Sequence, residues 1–274
     1  MSTYVPLNRE QHDRLRLAQT RSYAPFRTVT SVPIILDEMT MAAREYPILF
    51  PEGEAQMPFV LMGMTPETNA FVDEAGNWLA NYIPLDVRKY PFGLSATPAA
   101  ASGAEAVAED EGKTRYTLCI DPEAPDLEDL DGPLVFQPQG ALCDGAKARA
   151  DIAQRLLERS AITKALVQVL EDAGLLVPRE ISMNLGLEKR RLRGFRVVDE
   201  KKLNALSDED FTNLRNKGGL PLVYAQLMSM ANLRLGPLAG QRKSAPVDAG
   251  SDQPSSQDFD LSGFADDEDF DIFH

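Results

Sequence analysis

The stretch ADIAQRLLERSAITKALVQVLEDAGLL, residues 150–176, limits the fold more than any other. Ile152, Leu156, Leu157, Ile162, Leu166, Val169 and Leu170 recur every three to five residues, the period of one long helix or two abutting ones. Gly174 stands where a left-handed residue closes a helix, and Pro178 has no N–H with which to continue it. An amphipathic helix of this length needs an apolar layer to lie on. Upstream, apolar residues come only in short runs: VTSVPIIL, YPILF, MPFVLMGM, NAFVDEAG, RYTLCID and PLVFQPQG, cut by Pro, Gly and Asn. Such runs are strand candidates, and the proline of VTSVPIIL suits an edge or a strand start.

Between them, LDEMTMAARE has helical spacing, with an acid pair suited to the positive end of a helix dipole. Downstream, EISMNL and LRGFRVVD read as strands joined by a polar turn. SDEDFTNLRNKGG opens on Ser207 as an N-cap, and LPLVYAQLMSMANLRLGPL is the last helix, stopped by Gly236-Pro237. The pattern predicts an α+β fold. A mixed or antiparallel sheet from residues 28–136 and 180–199 carries helices from 144–175 and 207–236 on one face, in one compact unit. Residues 1–22 are a polar N-terminal arm and residues 23–243 the domain, in which 99–113 is an acidic surface loop. Residues 244–274 read as a disordered acidic tail, because so polar a segment buries too little to order itself.

Charge and composition exclude several functions. Taking the nine acids of the tail out of the formal net charge of −14 leaves −5 on residues 1–243, and no basic footprint for nucleic acid. No apolar run approaches the roughly 20 residues of a membrane span, and MSTYVPLNREQHDRLRLAQ has no apolar core of a signal peptide. Cytosolic synthesis without Sec export is the expected setting. Cys119 and Cys143 form no C-x-x-C and read as buried thiols in a reducing compartment. The two histidines, His12 in the arm and His274 in the tail, leave little for histidine acid–base chemistry or metal binding. Neither a Walker loop nor a G-x-G-x-x-G after a strand occurs. No cofactor and no metal are expected, and the sequence marks out no catalytic residues.

Three features remain as binding candidates. Lys189, Arg190, Arg191, Arg193 and Arg196 crowd a nine-residue stretch, as an anion site, a solvated face or a receiver for the acidic tail. The tail interleaves acids with Phe259, Phe264, Phe270 and Phe273, anchors that can dock on a partner. GNWLANYIPLDVRKYPF gathers Trp78, Tyr82, Arg88, Tyr90 and Phe92. As a pocket, these side chains suit a planar or anionic ligand. As structure, the arginine pins a buried acid or carbonyl while the rings fill a core. Both readings stay open.

That last stretch resembles the W-x-x-x-Y-I-P-x-x-x-R-x-Y-P-F signature of the bacterial SapC family, through Trp78, Tyr82, Pro84, Arg88, Tyr90, Pro91 and Phe92. YPILF, FVLMGM, TNAFVDEAGNW, YTLCIDP, GPLVF, EDAGLLVP, the run LRGFRVVDEKKLNALSDEDFTNLRNKGGL and VYAQLMSMANLRLGPL follow in the family's order, so the resemblance covers roughly residues 23–240. The family takes its name from a locus for surface-layer proteins beside genes for their type I export. The resemblance therefore implies a role linked to surface-layer or cell-envelope assembly or transport; with scarce histidine, no cofactor motif and a partner-like tail, a non-enzymatic accessory protein that engages a protein partner through the tail is expected. It leaves two alternatives. One is an enzyme or ligand-binding component handling peptides or small anions around Trp78 and Arg88. The other is a surface-layer subunit exported by a type I system.

Overall fold

The computed structural model describes residues 4–19, 21–53, 56–97, 106–109, 115–127, 131–185 and 188–243. Within them the elements are β1 (Val5–Pro6), α1 (Arg9–His12), β2 (Ser31–Pro33), α2 (Met39–Ala42), β3 (Ile48–Pro51), β4 (Phe59–Leu61), α3 (Leu85–Arg88), β5 (Phe92–Thr97) and β6 (Ala106–Glu109). Then come β7 (Arg115–Ile120), α4 (Asp144–Asp172), β8 (Leu176–Leu185), β9 (Glu188–Val198), α5 (Glu200–Asn204), α6 (Asp208–Asn216), α7 (Leu220–Ser229) and α8 (Gly236–Lys243). The protein is α+β as expected, but its strands form two antiparallel sheets rather than one. One runs β1-β7-β5 with β6 also on β7, and the other runs β2-β4-β3-β9-β8. β2 is the edge strand that its Pro33 requires.

Each sheet has its own core. Ile34, Tyr46, Ile48, Phe50, Met62, Phe71, Val167, Leu170 and Leu222 fill the larger one, on the five-stranded sheet. Leu17, Tyr90, Phe92, Ile120, Val135 and Ala146 fill the smaller. α4 runs past both: Ala146 lies in the small core, Val167 and Leu170 in the large one. It is one continuous helix, closed by a Schellman arrangement in which the N–H of Leu175 reaches the Leu170 carbonyl (3.1 Å) and that of Gly174 the Glu171 carbonyl (2.8 Å). Gly174 takes the left-handed φ of 68° that this closure demands. The buried line of α4 is Ala146, Ala153, Thr163, Val167 and Leu170, not the line of long aliphatics; Ile162 faces outward. Small residues let the helix approach its neighbours closely, leaving Ile152, Leu156 and Leu157 half-covered at its flanks.

Several local expectations change. NAFVDEAG holds no strand; Val72 and Trp78 make a single bridge, and the Phe71 carbonyl accepts from the Leu79 N–H across a turn. PLVFQPQG likewise contributes only bridges, Leu134 to Arg16 and Phe136 to Leu142. The 99–113 stretch is not all loop, since Ala106–Glu109 pairs with β7; its other residues lie outside the described ones, as does the tail. Gly236-Pro237 does not end helical structure: the turn Met230–Leu233 continues α7, and Gly236-Pro237 begins α8, where proline needs no donor.

The N-terminal residues are part of the fold. Val5 and Pro6 extend the smaller sheet against Ile120 and Cys119. Leu17 donates to the Pro133 carbonyl at 2.9 Å and is buried. The approach is close enough that a Cβ on Gly132 would stand 2.2 Å from the Leu17 carbonyl oxygen. His12 is buried as well, with Nδ1 at hydrogen-bond distance from the backbone of Asn8.

Candidate functional site

The aromatic signature stretch lies where the two cores meet. Trp78, Tyr82 and Ile83 pack on the larger core and Val87 lies within it, while Tyr90 and Phe92 belong to the smaller. Pro84 fixes the turn into α3, and the peptide between Tyr90 and Pro91 is cis, delivering Phe92 into β5 fully buried.

A chain of hydrogen bonds runs through it. The Trp78 indole Nε1 donates to Tyr46 Oη at 2.8 Å, and Tyr46 Oη donates to the Tyr82 carbonyl. Tyr82 Oη donates to Glu38 Oε1 at 2.9 Å; the same oxygen accepts from the Leu85 N–H at 2.7 Å, and Oε2 accepts from the Ile35 N–H at 3.0 Å. Glu45 takes the N–H groups of Asn81 (2.7 Å) and Tyr82 (2.9 Å). Burial pushes the Glu38 carboxyl above its ordinary value, against the pull of its donors. Burial likewise raises the Tyr46 and Tyr82 hydroxyls, with the Glu38 charge adding to the effect at Tyr82. Tyr23 meets Trp78 edge-on at 5.4 Å, Phe26 meets Tyr90 in the same way, and Tyr90 Oη donates to Asp121 at 3.0 Å. These groups answer one another within the corner.

Arg88 is not the pin. Its side chain is exposed and makes no hydrogen bond or ion pair among the described residues. Arg21 does that work, its Nη2 donating to the carbonyls of Arg88 (2.7 Å) and Tyr90 (2.6 Å) and more distantly to Val87 (3.2 Å). Buried Asp126 lies beside it, 3.0 Å from Arg149 and 3.9 Å from Arg21. Burial, with Arg149 nearby, lowers the Arg21 guanidinium below its ordinary value. The sequence also hid the acid pair's division of labour. Asp37 turns outward to Arg155 (2.8 Å) and Arg159 (2.7 Å) of α4, whose hydrogen bonds hold its carboxyl below the usual range; Glu38 turns inward to the corner. Both had read as helix-dipole acids. The signal available was two carboxylates, Glu38 and Glu45, seven residues apart on the flanks of one short helix.

Part of the basic stretch has internal partners. Arg191 (3.1 Å) and Arg193 share Glu180, and Arg196 pairs with Glu171 (2.6 Å) while donating to the carbonyls of Pro51 and Gly53. The side chains of Lys189 and Arg190, like the tail anchors, fall outside the described ones. Cys119 and Cys143 are buried and free, as expected. An open groove of about 730 Å³ lies elsewhere, beside edge strand β2, between Ser31, Pro33, Met57, Phe59 and Lys164; neither Trp78 nor Arg88 lines it.

Sequence reasoning missed the face that is open. α7 is apolar nearly all round, and its polar residues point inward. Register carries the pairing of Phe50 with Arg196 and Pro51 with Phe195 on to Ile48 opposite Val198. At that step the Gln226 amide stands in for the backbone ladder, accepting from the Val198 N–H (3.1 Å) and donating to the Ile48 carbonyl (3.3 Å). Ser229 Oγ takes the Ile48 N–H at 2.9 Å. With the polar residues turned to the sheet, Pro221, Tyr224, Met228, Ala231 and Leu235 form an exposed outer stripe at alternating steps of three and four. Met228 is 74% exposed, Leu235 61% and Tyr224 47%, values ordinary for lysine rather than for large apolar side chains.

Two small antiparallel sheets joined at an aromatic corner and spanned by one long helix define an α+β protein that leaves an apolar helix face exposed among its described residues. The SapC family profile matches residues 7–235, and the chain belongs to that family. The match reaches back to residue 7, in keeping with the packed N-terminal segment. No curated protein and no solved structure matches the chain. Among the described residues no helix is long and apolar enough to cross a membrane.

Proposed function

We propose that the chain is an accessory protein of surface-layer or cell-envelope assembly, acting by binding a protein partner rather than by catalysis. The observation that carries this reading is the outer stripe of α7. Tyr and Met are side chains favoured at protein interfaces, and a contiguous apolar helix face in water marks a surface meant to be covered. Membership in the SapC family supports the envelope setting, and the tail's Phe259, Phe264, Phe270 and Phe273 add a second docking element. Tagged chain and its Met228→Glu/Leu235→Glu variant, each exposed to envelope fractions of the producing cell, test the reading. An envelope protein retained by the first and lost from the second, with the melting temperature kept, is the expected result. The same proteins held by both would overturn it.

The groove beside β2 favours a second reading, as a ligand-binding component. Lys164 is the cation of an otherwise apolar and neutral lining, a combination suited to a small carboxylate with an apolar body. Thermal stabilisation by such carboxylates that disappears in Lys164→Gln would support it; no stabilisation in either protein would remove it.

A further inference from the structure

We infer that the tail of this chain docks on the outer stripe of α7, so that residues 258–273 cover Tyr224, Met228 and Leu235 of the same molecule. The inference rests on reading that stripe as a binding surface, and not on which envelope protein shares it.

Three observations point to this occupant. Continuity comes first. α8 packs against the turn Met230–Leu233 that carries Ala231 of the stripe, and the tail leaves from Lys243 at the end of α8. The fourteen residues 244–257 reach up to about 46–50 Å when extended. The stripe from Pro221 to Leu235 is only about 21–24 Å long at 1.5–2.0 Å per residue. Reach is therefore no obstacle.

Charge comes second. Residues 211–247 hold Arg215, Lys217, Arg234, Arg242 and Lys243 and not one acid, in a chain whose net charge is −14. Residues 258–271 hold seven acids and no base. The two segments are opposite in sign over their whole lengths, which favours their encounter.

Side-chain chemistry comes third. The stripe offers a methionine between an aromatic and a leucine, and the tail offers four phenylalanines with Leu261 and Ile272 among its acids. Thioether sulfur and aromatic rings pack favourably, and methionine adapts to rings of varied placement.

The test is made on the full chain, with methionine methyl groups labelled for NMR and the Met228 resonance assigned from Met228→Leu. A second full chain carries Phe259→Ser, Phe264→Ser, Phe270→Ser and Phe273→Ser. The expected result is that the Met228 methyl moves toward its value in free methionine in the four-serine chain, while buried Met62 stays in place and dilution changes neither. An unmoved Met228 methyl would overturn the inference. So would a Met228 shift in the native chain on dilution, since the tail would then be covering a second copy. A Met228 shift without any captured envelope protein leaves the docking standing and sinks the proposed function; capture without the shift does the reverse.

Discussion

The aromatic corner and the outer face of α7 invert what their compositions suggest. The corner, with tryptophan, tyrosines and arginine, has the residue mixture of a binding site, yet its polar groups are held by Glu38, Glu45, Tyr46, Asp121 and Arg21. α7 has the composition of a buried helix, yet among the described residues nothing packs over its Tyr224 and Met228. The difference teaches that richness in site-like residues is no guide to openness. What matters is whether the partners lie in the same molecule, and only the packing decides that.

The largest way to break the comparison is Arg21→Ala. It takes a charged donor from the carbonyls of Arg88 and Tyr90, while Asp126 keeps Arg149; at about 1.5–3 kcal/mol per hydrogen bond to a charged group, the expected cost is about 3–5 kcal/mol. At roughly 2–4 °C per kcal/mol for a domain of this size, the melting temperature drops by about 6–20 °C; an unchanged value would mean that the corner is not pinned as described. Gln226→Leu comes next, at about 3 kcal/mol, because it orphans the Val198 N–H and the Ile48 carbonyl inside the sheet. Chemical denaturation measures it.

Glu38 sharpens the comparison through pH. Its carboxyl keeps its proton to higher pH in the folded chain than in the unfolded one. Its contribution is therefore full below the unfolded value and is lost as pH rises through the folded one. Glu38→Gln cannot titrate, so the stability gap between the native chain and this variant should narrow with rising pH across that window. A constant gap from about pH 4 to about pH 8 would show that burial does not govern this carboxyl. The smallest effects belong to the open side chains. Arg88→Ala and Met228→Gln should each stay within about 0.5 kcal/mol of the native chain. Gln226 and Met228 would then differ several-fold across two residues of one helix, and equal losses at both would erase the distinction between its faces.

By itself, the sequence determined the elements with strong local causes. Gly174 and the 150–172 periodicity set the long helix and its end, Ser207 caps α6 by accepting from the Asp210 N–H, and Pro33 fits β2 to an edge. The α+β class followed from short broken strands beside one long helix. The family was legible as well, because the spacing of Trp78, Tyr82, Arg88 and Phe92 is a linear pattern.

Tertiary structure alone decided the rest. Hydrophobic period marks which residues of α4 are apolar, but the depth of burial is set by closest approach, so Ala146, Ala153 and Val167 lie deeper than Ile162. The strand runs do not say how many sheets they make, since pairing depends on contacts between distant residues: Val5 with Ile120, Phe50 with Arg196. Nor does a motif containing Arg88 say that its pin is Arg21, or that the acid on Tyr82 is Glu38, because those partners arrive from other segments of the chain. The open face of α7 was hidden for the same reason. A helix apolar on every side does not say which side the sheet will cover, and that choice fell to two hydrogen-bonding side chains, Gln226 and Ser229, that complete the ladder at Ile48.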